Sequence, residues 1–125
     1  MLKPAIEALA KLPLEEISMF EELLSQKLYA LDTKAHAQNI GEDSWSEGKY
    51  FSGDWFLYAR CCVVANGQEL YELVLKDPTP FPKDIEFEAL LGLAWKAYEE
   101  KTKQEFEGFD TSVSYETCSN EAGWA

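Results

Sequence analysis

The chain has little of what most catalytic sites and metal centres require. Its 125 residues include one histidine, His36, and three cysteines, Cys61, Cys62 and Cys118. No CxxC or HxxxH pair gives the ligand spacing that zinc requires, and no Asp-rich loop has calcium-binding spacing. A Ser-His-Asp or Cys-His site would have to use the lone His36. We therefore expect no catalytic residue, no metal and no cofactor, and an enzyme is the less favoured class.

Phosphate-binding loops and disulfides are also missing. The glycines between residues 48 and 53 match neither the Walker nor the dinucleotide pattern. Cys61 and Cys62 are adjacent, so a mutual disulfide would be strained, and we expect reduced thiols that fill the core. A redox role would need the positive charge of Arg60 beside a thiol. Neighbours on a helix point about 100 degrees apart, however, which disfavours that reading.

Positive charge is scarce. Eleven Lys and Arg against 23 Asp and Glu give a net charge of -12. A polyanion gains nothing from counterion release, so we expect no nucleic acid as a partner, and an anionic membrane surface is disfavoured for the same reason. The same charge permits fast encounter with a basic protein.

Long apolar runs are absent as well. The N-terminal residues do not resemble a signal peptide, and no window reaches the roughly 18 apolar residues of a membrane span. We therefore expect a cytoplasmic protein without membrane contact. Hydrophobic residues still make up 46% and aromatic residues 14% of the chain. That content predicts one folded domain over residues 1–125.

The spacing of the apolar residues predicts an all-α fold of about five helices, with an irregular C-terminal tail packed on them. The most regular pattern begins at Leu14 and repeats at Ile17, Leu24 and Leu28. Further helical segments are predicted at 3–11, 35–40, 54–66, 68–76 and 84–103, the last of them capped by Asp84, with Phe87, Leu90, Leu91, Ala94, Trp95 and Tyr98 on one face.

The segment from Trp55 to Ala65 carries a single charged residue, Arg60. Asp54 before it is a suitable N-cap, and the Asn66-Gly67 pair after it is a typical helix end. A helix that is apolar on every side belongs in the centre of the fold. A buried strand is the alternative, because valines and aromatics favour β-structure.

A buried guanidinium needs a carboxylate and backbone acceptors to receive its donors. Two carboxylates are candidates for Arg60: Glu88, beside the apolar face of the last helix, and Glu116 in the tail. The competing interpretation is a pocket in which Arg60 meets an anionic ligand. The aromatics Tyr115 and Trp124 predict that the tail from 111 to 125 packs back on the helices.

Three stretches of sequence together resemble a known family: WFLYARCCVVANG at 55–67, FEALL at 87–91, and SYET at 114–117 with Ser119-Asn120 and Gly123-Trp124. The chain is similar over about residues 14 to 124 to a small bacterial domain of unknown function, number 4240. The resemblance implies a small helical domain and names no activity, substrate or cofactor. Cys118 departs from the family's small residue in the last motif.

Small size, net charge and the missing catalytic set favour an acidic protein-interaction module, of which an inhibitor or immunity-type partner of a basic protein is one form. The alternative is a small-ligand or enzymatic pocket around Arg60 and the tail motif. The candidate ligand-binding residues are Arg60, Glu88, Tyr58, Glu116, Asn120 and Trp124. The pattern leaves the partner and the oligomeric state open.

Overall fold

A computed structural model describes residues 3–106 and 108–125, and this part of the chain is helical and contains no strand. The predicted all-α class is confirmed. The helices are α1 (Lys3–Ala10), α2 (Leu14–Ala30), α3 (Lys34–Ala37), α4 (Gly53–Ala65), α5 (Gln68–Lys76), a 3-10 turn (Glu88–Gly92) that leads into α6 (Leu93–Thr102), and α7 (Glu121–Trp124).

Helix α4 is the centre of the molecule, as the sequence predicted, and the alternative of a strand is wrong. The cap differs from the prediction: the Ser52 hydroxyl accepts the Trp55 amide at 3.1 Å, and Asp54 lies exposed in the first turn. The helix ends at Asn66, whose side chain donates to the Cys62 carbonyl at 2.7 Å. Seven of its residues are buried: Phe56, Leu57, Ala59, Arg60, Cys61, Cys62 and Val63.

The other helices surround α4 in two groups. On one side, Leu24 and Leu28 of α2 pack with Leu57 and Cys61 of α4. On the other side, residues of α3, α5 and the loop segments close around Phe56, Ala59 and Val63. Helix α1 lies against α6. The loop between α3 and α4 is held by Trp45 and Phe51, which pack on the core.

The prediction of a long helix from Asp84 is wrong. Asp84 has a left-handed backbone (φ 58°), and its carboxylate accepts the Glu42 amide at 2.7 Å, which ties it to the preceding loop. The 3-10 turn that follows changes the helical phase before α6 begins. Trp95, predicted on the buried face, is therefore 38% exposed, whereas Leu93 and Ala97 are buried.

The tail crosses the face of α2 and α4, as the aromatics predicted, and ends in the single turn α7, which the sequence did not predict. Gly123 is required there, because a Cβ would come within 2.7 Å of the Asp32 carbonyl. In the described part of the chain, no helix has both the length and the apolar character of a membrane span.

Candidate functional site

The six residues predicted from the sequence fall into two places. Arg60, Asn120 and Trp124 meet in the interior, where the tail crosses the end of α2. Tyr58, Glu88 and Glu116 instead line a cavity on the surface. The two groups differ in their access to solvent: Arg60 is fully buried, with Asn120 and Trp124 partly buried above it, whereas the residues of the second group line an open surface.

Arg60 is fully buried. Its Nη1 donates to the Leu28 carbonyl at 2.7 Å and its Nη2 to the Thr117 hydroxyl at 3.1 Å, while the guanidinium carbon lies 4.6 Å from the centre of the Phe56 ring. Its Nε has no hydrogen-bond partner among the described residues. Burial lowers the pKa of Arg60 to about 10, and the charge of Asp32 is the largest effect that opposes this. The guanidinium stays protonated at neutral pH.

The predicted partners of Arg60 are wrong. Glu88 and Glu116 are both exposed, and neither forms an ion pair with it. Across residues 3–106 and 108–125, the one ion pair within 4.0 Å joins Lys103 to Glu100 on the surface. Arg60 donates to a carbonyl and a hydroxyl, and its main counter-charge is the buried Asp32, which was not among the predicted partners.

Asp32 is the anchor of the tail. Its side chain is fully buried and accepts three hydrogen bonds, from the Cys118 amide at 3.0 Å, the Asn120 amide at 3.0 Å and the Trp124 indole nitrogen at 2.7 Å. All three donors come from the last eight residues of the chain. The tail motif around Asn120 and Trp124 is therefore bound to the helices through the side chain of Asp32.

Asn120 and Trp124 complete this interior network. The Asn120 side chain donates to the Tyr29 carbonyl at 3.1 Å and caps α7 by accepting the Gly123 amide at 3.3 Å. The Trp124 ring packs 6.0 Å from Phe51 and 6.1 Å from Phe56. These contacts fix the tail to the core, and they leave both side chains engaged with the protein itself.

A surface cavity of about 510 Å³ lies between α4, the 3-10 turn, α6 and the tail. Three carboxylates and three aromatic rings contribute to its lining: Asp54, Glu88, Glu116, Tyr58, Trp95 and Tyr115. Partial burial raises the pKa of Tyr58, and the nearby carboxylates of Glu88, Asp54 and Glu116 raise it further. We name this the Tyr58 cavity. Lys96 contributes the one positive charge among its described lining residues, and its Nζ lies 5.5 Å from the Trp95 ring centre.

A second cavity, of about 410 Å³, lies between α2 and the tail. It shares Tyr115 and Glu116 with the first, and it is also lined by Glu21, Ser25 and Phe109. Glu21 is 9% exposed, and its Oε1 has no hydrogen-bond partner in the described structure. Burial raises the pKa of the Glu21 carboxyl group. We name this the Glu21 cavity.

His36 is held in a structural role. Its Nε2 lies 2.7 Å from the Val74 carbonyl, so this nitrogen carries the proton, and its Nδ1 lies 2.6 Å from the Thr33 hydroxyl. Burial lowers the pKa of the imidazole, which favours its neutral form. Both nitrogens are occupied, and the ring is 5% exposed.

The cysteines do not have the properties of reactive thiols. Cys61 and Cys62 are buried and unpaired, as the sequence predicted. Burial raises the pKa of Cys61 to about 12 and outweighs the lowering by Arg60. Burial also raises the pKa of the exposed Cys118. A thiol in these surroundings is protonated at neutral pH and is a poor nucleophile.

Two buried acids, Glu21 and Asp32, were not predicted from the sequence, although the sequence pattern indicates burial for Glu21. Glu21 falls on the apolar period of α2, since positions 17, 21, 24 and 28 share one helical face. An acid on that face is a candidate for burial. Asp32 offered no such pattern, because it follows the last turn of α2 and its partners lie 86 to 92 residues later in the chain.

The chain matches the model of one protein family, described as "Protein of unknown function (DUF4240)", over residues 1–100. The match covers most of the chain, so the chain belongs to this family. The tail motif that also carried the resemblance lies beyond the matched residues. No curated protein and no solved structure matches the chain.

Proposed function

We propose that this member of the DUF4240 family is an acidic interaction module that binds a basic protein and receives one of its Lys or Arg side chains in the Tyr58 cavity. The observation that carries the proposal is the lining of that cavity, which brings three carboxylates and three aromatic rings together on a chain of net charge -12. Carboxylates and aromatic faces are the two kinds of group that bind ammonium and guanidinium ions.

The electrostatics of the Tyr58 cavity support a cationic occupant. Asp54, Glu88 and Glu116 all act on the Tyr58 hydroxyl, so their potentials add in the same volume. The Lys96 ammonium lies 5.5 Å from the centre of the Trp95 ring, a distance at which a cation and an aromatic face attract each other, and this supports a cationic occupant beside the same ring. The negative charge of the whole surface would also accelerate the encounter with a basic partner.

A small-ligand or enzymatic pocket around Arg60 has less support. Arg60 is fully buried, and two of its nitrogens donate to Leu28 and Thr117. An anionic ligand would have to displace the tail before it could contact the guanidinium. An inhibitor or immunity role would be one form of the interaction proposed above, and identification of the partner would decide it.

A decalysine peptide tests the proposal by isothermal titration at about 0.15 M ionic strength, where distant surface charges are largely screened. The variant E88Q/E116Q removes two carboxylates of the Tyr58 cavity. The variant E15Q/E16Q removes two exposed carboxylates from the first turn of α2 and is the matched control. We expect E88Q/E116Q to weaken binding about tenfold and E15Q/E16Q less than about twofold.

Two results would overturn the proposal: equal weakening by both double variants, which would mean diffuse attraction to charge, or no binding to the native chain at roughly millimolar concentration. A tagged copy purified from its native cell then identifies the natural partner by mass spectrometry. Its complex must weaken in the same order across the two double variants.

A further inference from the structure

One oxygen of the buried Glu21 carboxylate lacks a hydrogen-bond partner among the described residues, although the next residue on the same helix is well supplied with donors. Its side chain is nine-tenths buried, its Oε1 has no partner among the described residues, and burial raises the pKa of the group. The adjacent Glu22 accepts hydrogen bonds from the Ser112 amide and hydroxyl and from Gln26. An orphaned buried carboxylate is costly, so its persistence beside a cavity points to an occupant.

The chemistry of the Glu21 cavity restricts that occupant. The described side chains that line it include no lysine or arginine; they offer the carboxylates of Glu21 and Glu116, several hydroxyl groups, and the rings of Phe106, Phe109 and Tyr115. Burial raises the pKa of Tyr115, and Glu21 and Glu116 raise it further, so both carboxylates act on this ring. An anion would be repelled here, whereas an ammonium group would find a counter-charge and aromatic faces.

The wall of this cavity is held in place independently of any ligand. The Ser112 amide donates to Glu22 Oε1 at 2.7 Å, which attaches the tail to α2 one residue from Glu21. The ring centres of Phe106 and Phe109 lie 4.7 Å apart, and both rings meet the Tyr98 ring edge to face. A preformed cavity of about 410 Å³ falls in the size range of small-molecule sites.

We infer that the Glu21 cavity binds a small organic ammonium ion with an apolar or aromatic body, in which the Glu21 carboxylate pairs with the ammonium and the aromatic rings hold the body. This site does not rest on the proposed function, because Glu21 lines one cavity and Glu88 lines the other. The two cavities share Tyr115 and Glu116, so a test must use residues that belong to one cavity alone.

Three probes of similar shape test the charge that the site selects: 2-phenylethylamine, the neutral 2-phenylethanol and the anionic 3-phenylpropionate, each titrated into the native chain and followed by calorimetry. We expect the amine to bind at least about tenfold more tightly than the alcohol, and the anion not to bind. Shifts of the backbone NMR signals at residues 21–25 and 112–116 would place the amine in this cavity.

The variant E21Q keeps the size of the side chain and removes its charge, and we expect it to weaken amine binding about tenfold or more. E16Q removes an exposed charge from the same helix, and E88Q removes one from the Tyr58 cavity; both should leave the affinity within about twofold. S114W, on the exposed tail that lines the cavity, should block binding by filling it without a change of charge.

Unchanged affinity in E21Q, equal affinity for amine and alcohol, or no binding of the amine at roughly 10 mM would each overturn the inference. Glu88 and Glu21 each line one cavity alone, so a loss of decalysine binding in the single variant E88Q and a loss of amine binding in E21Q are separate results, and either proposal can fail while the other stands.

Discussion

The two parts of the tail are held to the helices in opposite ways. The locking segment, residues 117–124, gives three hydrogen bonds to the buried Asp32 and one to the Tyr29 carbonyl. The covering segment, residues 108–116, is attached to α2 through the half-buried Glu22, and it lines a cavity with Glu21, whose Oε1 has no partner in the described structure. Within a few residues of the tail, the buried carboxylate beneath it thus changes from one with three hydrogen-bond donors, Asp32, to one with an unpartnered oxygen, Glu21.

This difference separates stability from binding. Hydrogen bonds to a buried charge contribute about 1.5 to 3 kcal/mol each, whereas exposed contacts such as that of Ser112 contribute little. The locking segment therefore provides the free energy that keeps the whole tail in place. The covering segment can leave a cavity and a desolvated carboxylate beneath it, because its position does not depend on filling that space.

The largest effect is expected when the locking segment loses its acceptor. D32A removes the partner of three tail donors and the main counter-charge of the buried Arg60. We expect it to lower the free energy of unfolding by about 3 to 5 kcal/mol, measured by urea denaturation. D43A, at an exposed aspartate, should stay within about 0.5 kcal/mol of the native chain. A loss below about 1 kcal/mol in D32A would remove the contrast between the two segments.

A smaller effect is expected at Arg60. In R60L, the Leu28 carbonyl loses its donor and Asp32 loses the nearby positive charge. Asp32 keeps its three donors from the tail. We expect a loss of about 2 kcal/mol in the same urea assay. Removal of the exposed carboxylate in E88A should change the free energy of unfolding by less than about 0.5 kcal/mol. Equal losses of unfolding free energy in R60L and E88A would instead support an ion pair between Arg60 and Glu88, which the structure does not contain.

The smallest effect, of opposite sign, is expected at Glu21. Its pKa is raised in the folded chain, so the native state holds this proton more tightly than the unfolded state does, and stability falls as pH rises above the usual value of 4.5. E21Q cannot ionise, and at neutral pH we expect it to be more stable than the native chain by up to about 1 kcal/mol.

The advantage of E21Q should disappear below pH 4.5, where both forms are neutral, and the exposed E16Q should show no such trend in thermal unfolding across the same pH series. A native chain more stable than E21Q at neutral pH would mean that Glu21 already has a favourable partner, and the covering segment would then resemble the locking segment.

Much of the fold could be predicted because it follows from local pattern. Helix α2 has a regular apolar period, and α4 is almost without charge and ends at Asn66. The prediction failed at Asp84, where a residue suited to a helix cap instead adopts a left-handed conformation and binds the Glu42 amide. That contact joins positions 42 residues apart, and no local pattern reports it.

The candidate site was predicted less well for a similar reason. The sequence showed that Arg60 would be buried and that the tail would pack, but the pairing depends on the distant Asp32. Burial of Glu21 could have been predicted from the period of α2, whereas the missing partner of its Oε1 depends on how Phe106 and residues 108–116 pack against that helix. Cavities form where distant segments fit incompletely, which a sequence pattern does not record.

The long separation between Asp32 and its partners has a consequence during synthesis of the chain. Asp32 leaves the ribosome well before residues 118, 120 and 124 exist, since these partners follow it by 86 to 92 positions. At ordinary elongation speeds this interval lasts on the order of 5 to 20 seconds. Throughout this interval the carboxylate of Asp32 lacks its three donors from the tail, and the tail cannot be fixed to the helices until Trp124 has been added.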